Sequence, residues 1–288
     1  MRHAFAVRIG PVGFRIGSQW RAPVAQLQSL YRDYPTPDVA DFTVRLEPSA
    51  PWRRWVRPSV AIAGDFMLPD AAPLPLAHGL LAAEMAMNLQ VALGYRRHLL
   101  LHASAVERDG RAIVMTGESG AGKSTLATLL GARGWRFMGD EFVLLDMATG
   151  LVHAFPRLIS LKNEAVEEVA RLIPDGRFGP VLHDTPKGTI RHLVPDAQAI
   201  AAMDRPATPA LLLFPRYGEA AETREVGAGE AFVRLTQAST NYALLGETGF
   251  AALTRFVREV PRAAIDYPDT DAAIHAVEAA WEQVGGGA

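Results

Sequence analysis

The sequence has no cysteine and no excess of charge of either sign. Without cysteine it can form no disulfide, no thiolate metal site and no cysteine nucleophile. This fits a reducing compartment, and we expect a cytoplasmic protein. Its 29 Lys and Arg against 31 Asp and Glu give a net charge of −2. Such a chain has no general attraction for nucleic acid or anionic membrane, so we expect neither as a partner, and an anionic ligand must be bound locally.

Long uninterrupted apolar segments are also missing. The most apolar stretch, residues 74–95, is broken by His78, Glu84, Asn88 and Gln90, and its apolar residues recur at helical spacing. This pattern predicts a buried helix rather than a membrane span. The first eight residues lack the apolar core of a secretory signal, which agrees with the expected cytoplasmic location.

The patterning of the 288 residues predicts two domains. In residues 1–72, short apolar segments separated by Pro and Gly predict a mainly β domain of unknown role. The two prolines at Pro73 and Pro75 resist regular structure and mark the boundary. Residues 73–288 alternate between helical and strand patterns, so we expect an α/β protein. The helices are predicted at residues 123–133, 163–172, 247–259 and 271–284, and the strands at 5–9, 13–16, 42–46, 60–63, 99–106, 112–116, 136–138, 142–145, 151–155, 211–214 and 263–267.

A glycine-rich segment at residues 117–124, Gly-Glu-Ser-Gly-Ala-Gly-Lys-Ser, matches the phosphate-binding pattern G-x-x-x-x-G-K-[ST] between an apolar strand and a helix. Its glycines let successive N–H groups turn toward phosphate oxygens, and the helix N-terminus adds a positive dipole end. We predict that Lys123 bridges the β- and γ-phosphates and that the Ser124 hydroxyl binds Mg²⁺, so ATP and Mg²⁺ are the expected cofactors. A chance glycine-rich turn is the alternative. The predicted nucleotide-binding residues are Gly117, Glu118, Ser119, Gly120, Ala121, Gly122, Lys123, Ser124 and Thr125.

A second candidate is His102. Asp109-Gly110 between two apolar runs predicts a two-residue hairpin turn, in which facing residues have numbers that sum to 219. His102 then faces Gly117 at the mouth of the glycine-rich loop. A histidine at a strand end is more often structural, but this register favours a functional role.

The pair Asp140-Glu141 follows a short strand that we predict beside the phosphate strand. Consecutive residues at a strand end point to opposite faces, so the two carboxylates can serve different purposes. One can bind Mg²⁺, and the other can take a proton from an attacking hydroxyl. A solvated acidic turn is the alternative.

These segments together resemble the bacterial HPr kinase/phosphorylase family. The resemblance rests on Leu101-His102-Ala-Ser-Ala-Val, the loop at 117–124, Arg133-Gly134 and Gly139-Asp140-Glu141, whose spacing matches without gaps. It implies an HPr-kinase-like P-loop core with a mixed sheet, shared with phosphoenolpyruvate carboxykinase. It also implies Mg²⁺-dependent transfer of phosphate to a serine of a partner protein.

By this resemblance Glu141 takes the catalytic-base position, His102 assists the acidic pair, and Asp140 lies near the metal. With Lys123 these are the predicted catalytic residues, and Ser124 and Asp140 are the predicted metal ligands. Residues 73–288 would then be a P-loop kinase domain.

The similarity covers residues 99–146, and the chain departs from the family in two places. Asp140-Glu141 stands where the family usually has Asp-Asp, and the family's later E-I-R-G-x-G segment, which supplies a metal-binding glutamate, has no counterpart. The chain looks more like the HPr-kinase-related kinases, some of which resemble enzymes that phosphorylate precursor peptides. A protein or peptide is therefore the expected acceptor, while a reverse phosphorylase activity and a homo-oligomer are left open.

Further basic residues are weaker candidates. Lys187, Arg191 and His192 lie in a segment that either covers phosphates or forms a plain surface turn. Arg157 and Lys162 offer additional groups to neutralise charge.

Two other functions compete with a protein or peptide kinase. One is a kinase for a small metabolite, which the sequence cannot separate because the acceptor pocket lies outside the matched segments. The other is a nucleotide-gated binding or assembly protein. The acidic pair favours chemistry, because binding alone needs no proton acceptor beside the γ-phosphate.

Overall fold

A computed structural model describes residues 1–68, 70–118 and 120–285. Within these residues the chain is α/β, with helices packed on several sheets, as the sequence predicts. The amino-terminal sheet has the order β1-β2-β3-β4-β5 and pairs its strands both parallel and antiparallel. Its strands are β1 (His3–Ile9), β2 (Val12–Ser18), β3 (Phe42–Pro48), β4 (Ser59–Gly64) and β5 (Leu74–Pro75).

Two helices cover this sheet. Helix α1 (Arg21–Leu30), which was not predicted, buries Val24, Leu27 and Leu30 at helical spacing, and its proline lies in the first turn, where a missing N–H costs nothing. Helix α2 (Gly79–Gly94) packs on β3, β4 and α1, which confirms the predicted buried helix.

Helix α2 also relates the two predicted domains. Within the described residues, the segment Leu76–Gly94 is long and apolar enough to cross a membrane by length and composition, and 61% of that window is buried in the fold. One apolar core joins the amino-terminal sheet and α2 to residues as distant as Met203. The predicted division at residues 72 and 73 stays a prediction, and it separates α2 from the sheet that α2 covers.

A six-stranded mixed sheet, in the order β16-β17-β15-β8-β7-β9, forms the centre of the molecule. Strands β8, β15 and β17 run parallel, and β7, β9 and β16 run antiparallel to their neighbours. The bounds are β7 (Ala103–Arg108), β8 (Arg111–Thr116), β9 (Arg136–Gly139), β15 (Thr208–Tyr217), β16 (Glu222–Glu225) and β17 (Arg262–Tyr267).

Helices cover both faces of this sheet. Ile113 and Met115 of β8 pack into the core beneath α3, α4 and α8, whereas Ala112 and Val114 pack into the core beneath α6 and α7. Burial on both faces explains why these strands are continuous apolar runs. The helices are α3 (Lys123–Ala132), α4 (Glu164–Leu172), α5 (Ala197–Ala201), α6 (Ala228–Ala238), α7 (Tyr242–Glu259) and α8 (Thr270–Gly285).

Two small three-stranded sheets complete the fold, in the orders β11-β10-β6 and β12-β14-β13. Their strands are β6 (Leu99–Leu101), β10 (Val143–Leu145), β11 (Val152–His153), β12 (Ile159–Lys162), β13 (Phe178–Thr185) and β14 (Gly188–Leu193). The run predicted as one strand at 99–106 is therefore split at His102 between β6 and β7, which belong to different sheets.

The predicted hairpin is confirmed. Strands β7 and β8 pair antiparallel in the register that joins Arg108 to Arg111 and Ala103 to Thr116. Asp109 and Gly110 have φ angles of 55° and 77°, as a type I′ turn requires. The position predicted for β9 was wrong, because β9 pairs with β7, and β7 separates it from the phosphate strand β8.

Candidate functional site

A cavity of about 650 Å³ lies at the start of α3. The glycine-rich loop forms one wall, and His102, Asp140 and Glu141 reach it from the ends of β6 and β9. The structure therefore brings the predicted catalytic residues together around one cavity. Among the described loop residues, those lining it are Gly120, Gly122, Lys123, Ser124 and Thr125. Ser119 lies outside the described residues.

The loop backbone depends on its glycines. Gly120 and Gly122 have φ angles of 89° and 85°, which favour glycine. A Cβ on Gly122 would lie 2.6 Å from the Tyr267 hydroxyl oxygen. That hydroxyl donates a hydrogen bond of 3.0 Å to the Ala121 carbonyl, so β17 supports the loop immediately before α3 begins.

Lys123 lies in the first turn of α3 with only 7% of its surface exposed. Its Nζ donates hydrogen bonds of 2.8 Å to the carbonyls of Gly117 and Glu118. Burial lowers the pKa of its ammonium group, although the charges of Asp140 and Glu141 oppose that shift. A buried cation at the start of a helix, beside a cavity, can bind the phosphates of a nucleotide.

Asp140 follows β9 and is only 4% exposed. Its Oδ1 accepts hydrogen bonds from Ser104 Oγ at 2.6 Å and from Ser124 Oγ at 3.0 Å. Within the described part of the chain, its buried Oδ2 has no hydrogen-bond partner. Burial and the neighbouring charge of Glu141 raise the pKa of Asp140.

These oxygens test the fit to Mg²⁺. A carboxylate and a serine hydroxyl are ligands that Mg²⁺ prefers, and a buried carboxylate oxygen without a partner offers a free site for coordination. The side chains of Asp140 and Ser124 therefore fit Mg²⁺ as a ligand set.

Glu141 adopts a left-handed conformation with φ of 69°. The prediction that the acidic pair consists of consecutive strand residues was therefore wrong, because Glu141 lies in the bend between β9 and β10. The two carboxylates are nevertheless in different surroundings, because this backbone turn directs Glu141 toward the side chains of Lys162 and His102. Its Oε1 lies 3.7 Å from Lys162 Nζ, and its Oε2 lies 3.6 Å from His102 Nδ1.

Burial and neighbouring positive charges shift the pKa of Glu141 in opposite directions. Burial acts to raise the pKa of Glu141, but the positive charges of Lys162, His102, Lys187 and Arg157 outweigh it, and the net shift is downward. Glu141 is therefore ionised at neutral pH and can accept a proton.

His102 lies one residue beyond the β7–β8 ladder, which ends at Ala103 and Thr116, and its ring lies beside the acidic pair. Its Nδ1 lies 3.0 Å from the Glu141 carbonyl oxygen. A carbonyl only accepts, so Nδ1 carries a proton in this contact. The carbonyl of His102 in turn accepts a hydrogen bond of 3.0 Å from Thr116 Oγ1, which ties it to the strand that leads into the loop.

The weaker basic candidates separate into two groups. Lys162 and Lys187 line the cavity, and Lys187 lies in the turn between β13 and β14. Arg157 is buried and its Nη2 pairs with Glu84 Oε2 at 2.5 Å, while His192 is only 1% exposed. Of these weaker candidates, only Lys162 and Lys187 line this cavity.

A second, smaller cavity of about 90 Å³ was not predicted. It shares Asp140, Glu141, Lys162 and Lys187 with the first cavity, and its remaining wall includes Met85 of α2. Two binding spaces therefore meet at the acidic pair. No local pattern indicated it, because its walls come from segments that lie far apart in the sequence.

No family model matches the chain, and neither does any curated protein. Among solved structures, the chain is similar to an HPr(Ser) kinase/phosphatase from Coxiella burnetii, with 12% sequence identity and a TM-score of 0.27 over 62% of this chain and 90% of that one. We base no argument on a similarity of this size, and the function is argued from the residues of the site.

Proposed function

We propose that this protein is a Mg²⁺-dependent kinase with an HPr-kinase-like P-loop core, which transfers the γ-phosphate of ATP to a hydroxyl group of a protein or peptide. The observation that carries the proposal is the pair of cavities that share Asp140 and Glu141. A transfer reaction needs a donor and an acceptor on either side of one reacting centre.

In this proposal ATP occupies the larger cavity. Lys123 and the loop N–H groups bind the β- and γ-phosphates, and Asp140 with Ser124 holds Mg²⁺. When bound, Mg²⁺ neutralises charge on the phosphates. Lys162 and Lys187, which face the same cavity, supply further positive charge.

Glu141 is the proposed general base. It accepts the proton of the acceptor hydroxyl while that oxygen forms a bond to the γ-phosphorus and the bond to the β-phosphate oxygen breaks, releasing ADP. His102 is a positioning residue, because its Nδ1 lies beside both the carbonyl and the carboxylate of Glu141.

The smaller cavity supports the choice of acceptor. A volume of about 90 Å³ holds only roughly six to nine water-sized groups. A hydroxyl-bearing side chain fits such a space, whereas a sugar or nucleoside needs more. Its size therefore favours a side chain of a peptide over a sugar or nucleoside, and a small hydroxyl metabolite is the second candidate.

The test is incubation of the full chain with γ-labelled ATP and Mg²⁺, with a panel of serine, threonine and tyrosine peptides and a panel of hydroxyl metabolites. We expect label on at least one peptide, and transfer to that peptide slower by roughly 10²–10⁴-fold when the Glu141→Gln variant replaces wild type. Label on metabolites alone would support the second candidate. ATP binding without transfer to any acceptor would favour a nucleotide-gated binding protein.

A further inference from the structure

A second cluster of metal-ligating side chains lies outside the proposed catalytic site. His98, Asp146 and His153 each offer one donor atom, and these three atoms lie within 4.8 Å of one another. The three residues come from different parts of the small sheet β11-β10-β6.

Strand register explains why they meet. Leu99 pairs with Leu145 in the β6–β10 ladder, so the next pair outward is His98 with Asp146. His153 pairs with Leu144 on the other side of β10. Residues two apart on a strand share a face, so all three side chains lie on one face of the sheet.

We propose that His98, Asp146 and His153 bind one divalent transition-metal ion such as Zn²⁺. Two imidazoles and a carboxylate form a nitrogen- and oxygen-ligand set that suits Zn²⁺ and leaves a fourth position for water. Mg²⁺ prefers oxygen ligands alone, so this site differs in chemistry from the one proposed at Asp140 and Ser124.

His98 is held ready for ligation. Its ring stacks on Tyr95 with an interplanar angle of 2°, and its Nδ1 lies 2.7 Å from the Tyr95 hydroxyl. Among the described residues this hydroxyl is the only hydrogen-bond partner of the His98 ring. A proton on Nδ1 donated to Tyr95 leaves the Nε2 lone pair free for a metal, and such a contact on the other ring nitrogen fixes the tautomer and orientation of a ligating histidine.

The backbone around His98 is fixed by a buried side chain. Asn241 Nδ2 donates to the carbonyls of Tyr95 and His98 at 3.1 and 2.9 Å, and Asn241 Oδ1 accepts from Leu100 N at 2.9 Å. Asn241 is 1% exposed, so these three buried hydrogen bonds fix the backbone position of His98.

The carboxylate of Asp146 is also held in place, by hydrogen bonds from its own turn. Its Oδ1 accepts hydrogen bonds from Ala148 N, Thr149 N and Thr149 Oγ1 at 2.9, 2.6 and 2.8 Å, which leaves Oδ2 directed at His98. The 4.0 Å between Oδ2 and His98 Nε2 is too long for a hydrogen bond. Two bonds of roughly 2 Å at a tetrahedral ion separate their donors by roughly 3.3 Å, so small side-chain rotations close the site.

The position of the site indicates a structural role. Strand β6 starts beside His98 and leads to His102, while β10 follows Glu141 and ends beside Asp146. One end of the strand pair β6 and β10 lies next to His102 and the proposed base Glu141. An ion between His98 and Asp146 would join the two strands at their other end. Because the ion would bind the folded state and not the unfolded state, its binding would stabilise that strand pair.

The test is calorimetric titration of chelator-treated full-chain protein with Zn²⁺, in excess Mg²⁺ to occupy oxygen-ligand sites. The visible absorption of bound Co²⁺ reports a four-coordinate geometry, as distinct from the weak absorption of the six-coordinate aqueous ion. We expect one Zn²⁺ per chain, a visible Co²⁺ spectrum, and a melting temperature raised by about 5 °C. Asp146→Asn, which keeps the acceptor for the Thr149 turn, and His153→Ala should each weaken Zn²⁺ binding by at least about tenfold.

His275→Ala, which removes an exposed histidine on α8, is the matched control and should bind Zn²⁺ like wild type. Equal Zn²⁺ affinity in wild type and in both site variants, each shown to be folded by circular dichroism, would overturn the proposal. So would an absence of Zn²⁺ binding by the wild-type protein. Neither result bears on ATP binding or phosphate transfer, which are measured separately.

Discussion

Ser124 Oγ donates a hydrogen bond of 3.0 Å to Asp140 Oδ1, which joins the first turn of α3 to the end of β9. The loop hydroxyl and the buried carboxylate are thus already adjacent, as two ligands of one ion must be. This relationship underlies the assignment of Asp140 to the metal rather than to proton transfer.

The first prediction concerns Asp140→Asn. Removing the charge should raise the Mg²⁺ concentration needed for half-maximal phosphate transfer by at least about tenfold, because a hard cation loses its anionic ligand. A Mg²⁺ titration of the transfer rate at saturating ATP measures this. Thermal unfolding of the variant is the control, since the amide must still accept from Ser104. An unchanged Mg²⁺ requirement would remove Asp140 from the metal site.

The second prediction concerns Glu141→Gln, which preserves size and removes the proton acceptor. Transfer should fall by roughly 10²–10⁴-fold, the usual scale for general acid–base catalysis, while Mg²⁺·ATP affinity stays close to wild type. Single-turnover transfer and calorimetry provide the two measurements. The opposite pattern, in which Glu141→Gln raises the Mg²⁺ requirement and Asp140→Asn slows only turnover, would exchange the two roles.

The third prediction places the acceptor in the smaller cavity. Met85 of α2 lines this cavity and is 42% exposed, so Met85→Trp should partly fill it at little cost to stability. We expect transfer to the best peptide to fall at least about tenfold, with unchanged ATP affinity. Met67→Trp, at an exposed position away from either cavity, is the control. Equal transfer by the two variants would place the acceptor elsewhere.

The fourth prediction concerns pH and His192. Burial lowers the pKa of His192 below its usual 6.5. The charge of Glu84 acts to raise this pKa, and the charge of Arg157 acts to lower it further. The unfolded chain therefore binds a proton below about pH 6.5 that the folded chain does not, and stability falls as the pH drops through this range. The contribution between pH 7.5 and 5.5 is at most about 1.4 kcal/mol.

Urea unfolding at pH 7.5 and 5.5 measures this effect. His192→Gln, which cannot titrate, should lose less stability over this interval than wild type does. Equal losses in the two proteins would show that His192 titrates normally in the fold.

Local rules explain how much of the site was predicted. The glycine-rich loop, the hairpin turn and His102 depend on short-range chemistry, namely positive φ angles and strand register, which the sequence displays directly. The two carboxylates were located for the same reason. Their backbone conformation was not predicted. Glutamate rarely adopts the left-handed conformation seen at Glu141, so its presence in the sequence does not indicate one.

Long-range packing explains what was missed. Lys187 reaches the cavity through the sheet β12-β14-β13, none of whose strands was predicted. Met85 reaches the smaller cavity because α2 lies across the amino-terminal sheet. The strands β12, β13 and β14 are partly polar, and β13 pairs with β14 in an irregular register, so periodicity alone could not show them. The predicted position of β9 was also wrong, because the sequence of a single strand does not determine which strands it lies beside in the sheet.

The most direct test of the account is the affinity of Mg²⁺·ATP for wild type and for Lys123→Ala, measured by calorimetry. The buried ammonium group stands beside the phosphate loop, and removing it leaves the β- and γ-phosphates without their cation. We predict that wild type binds Mg²⁺·ATP, that the variant binds it at least about tenfold more weakly, and that the variant transfers no phosphate while remaining folded. Equal ATP affinity in the two proteins would contradict the assignment of the loop as the nucleotide site.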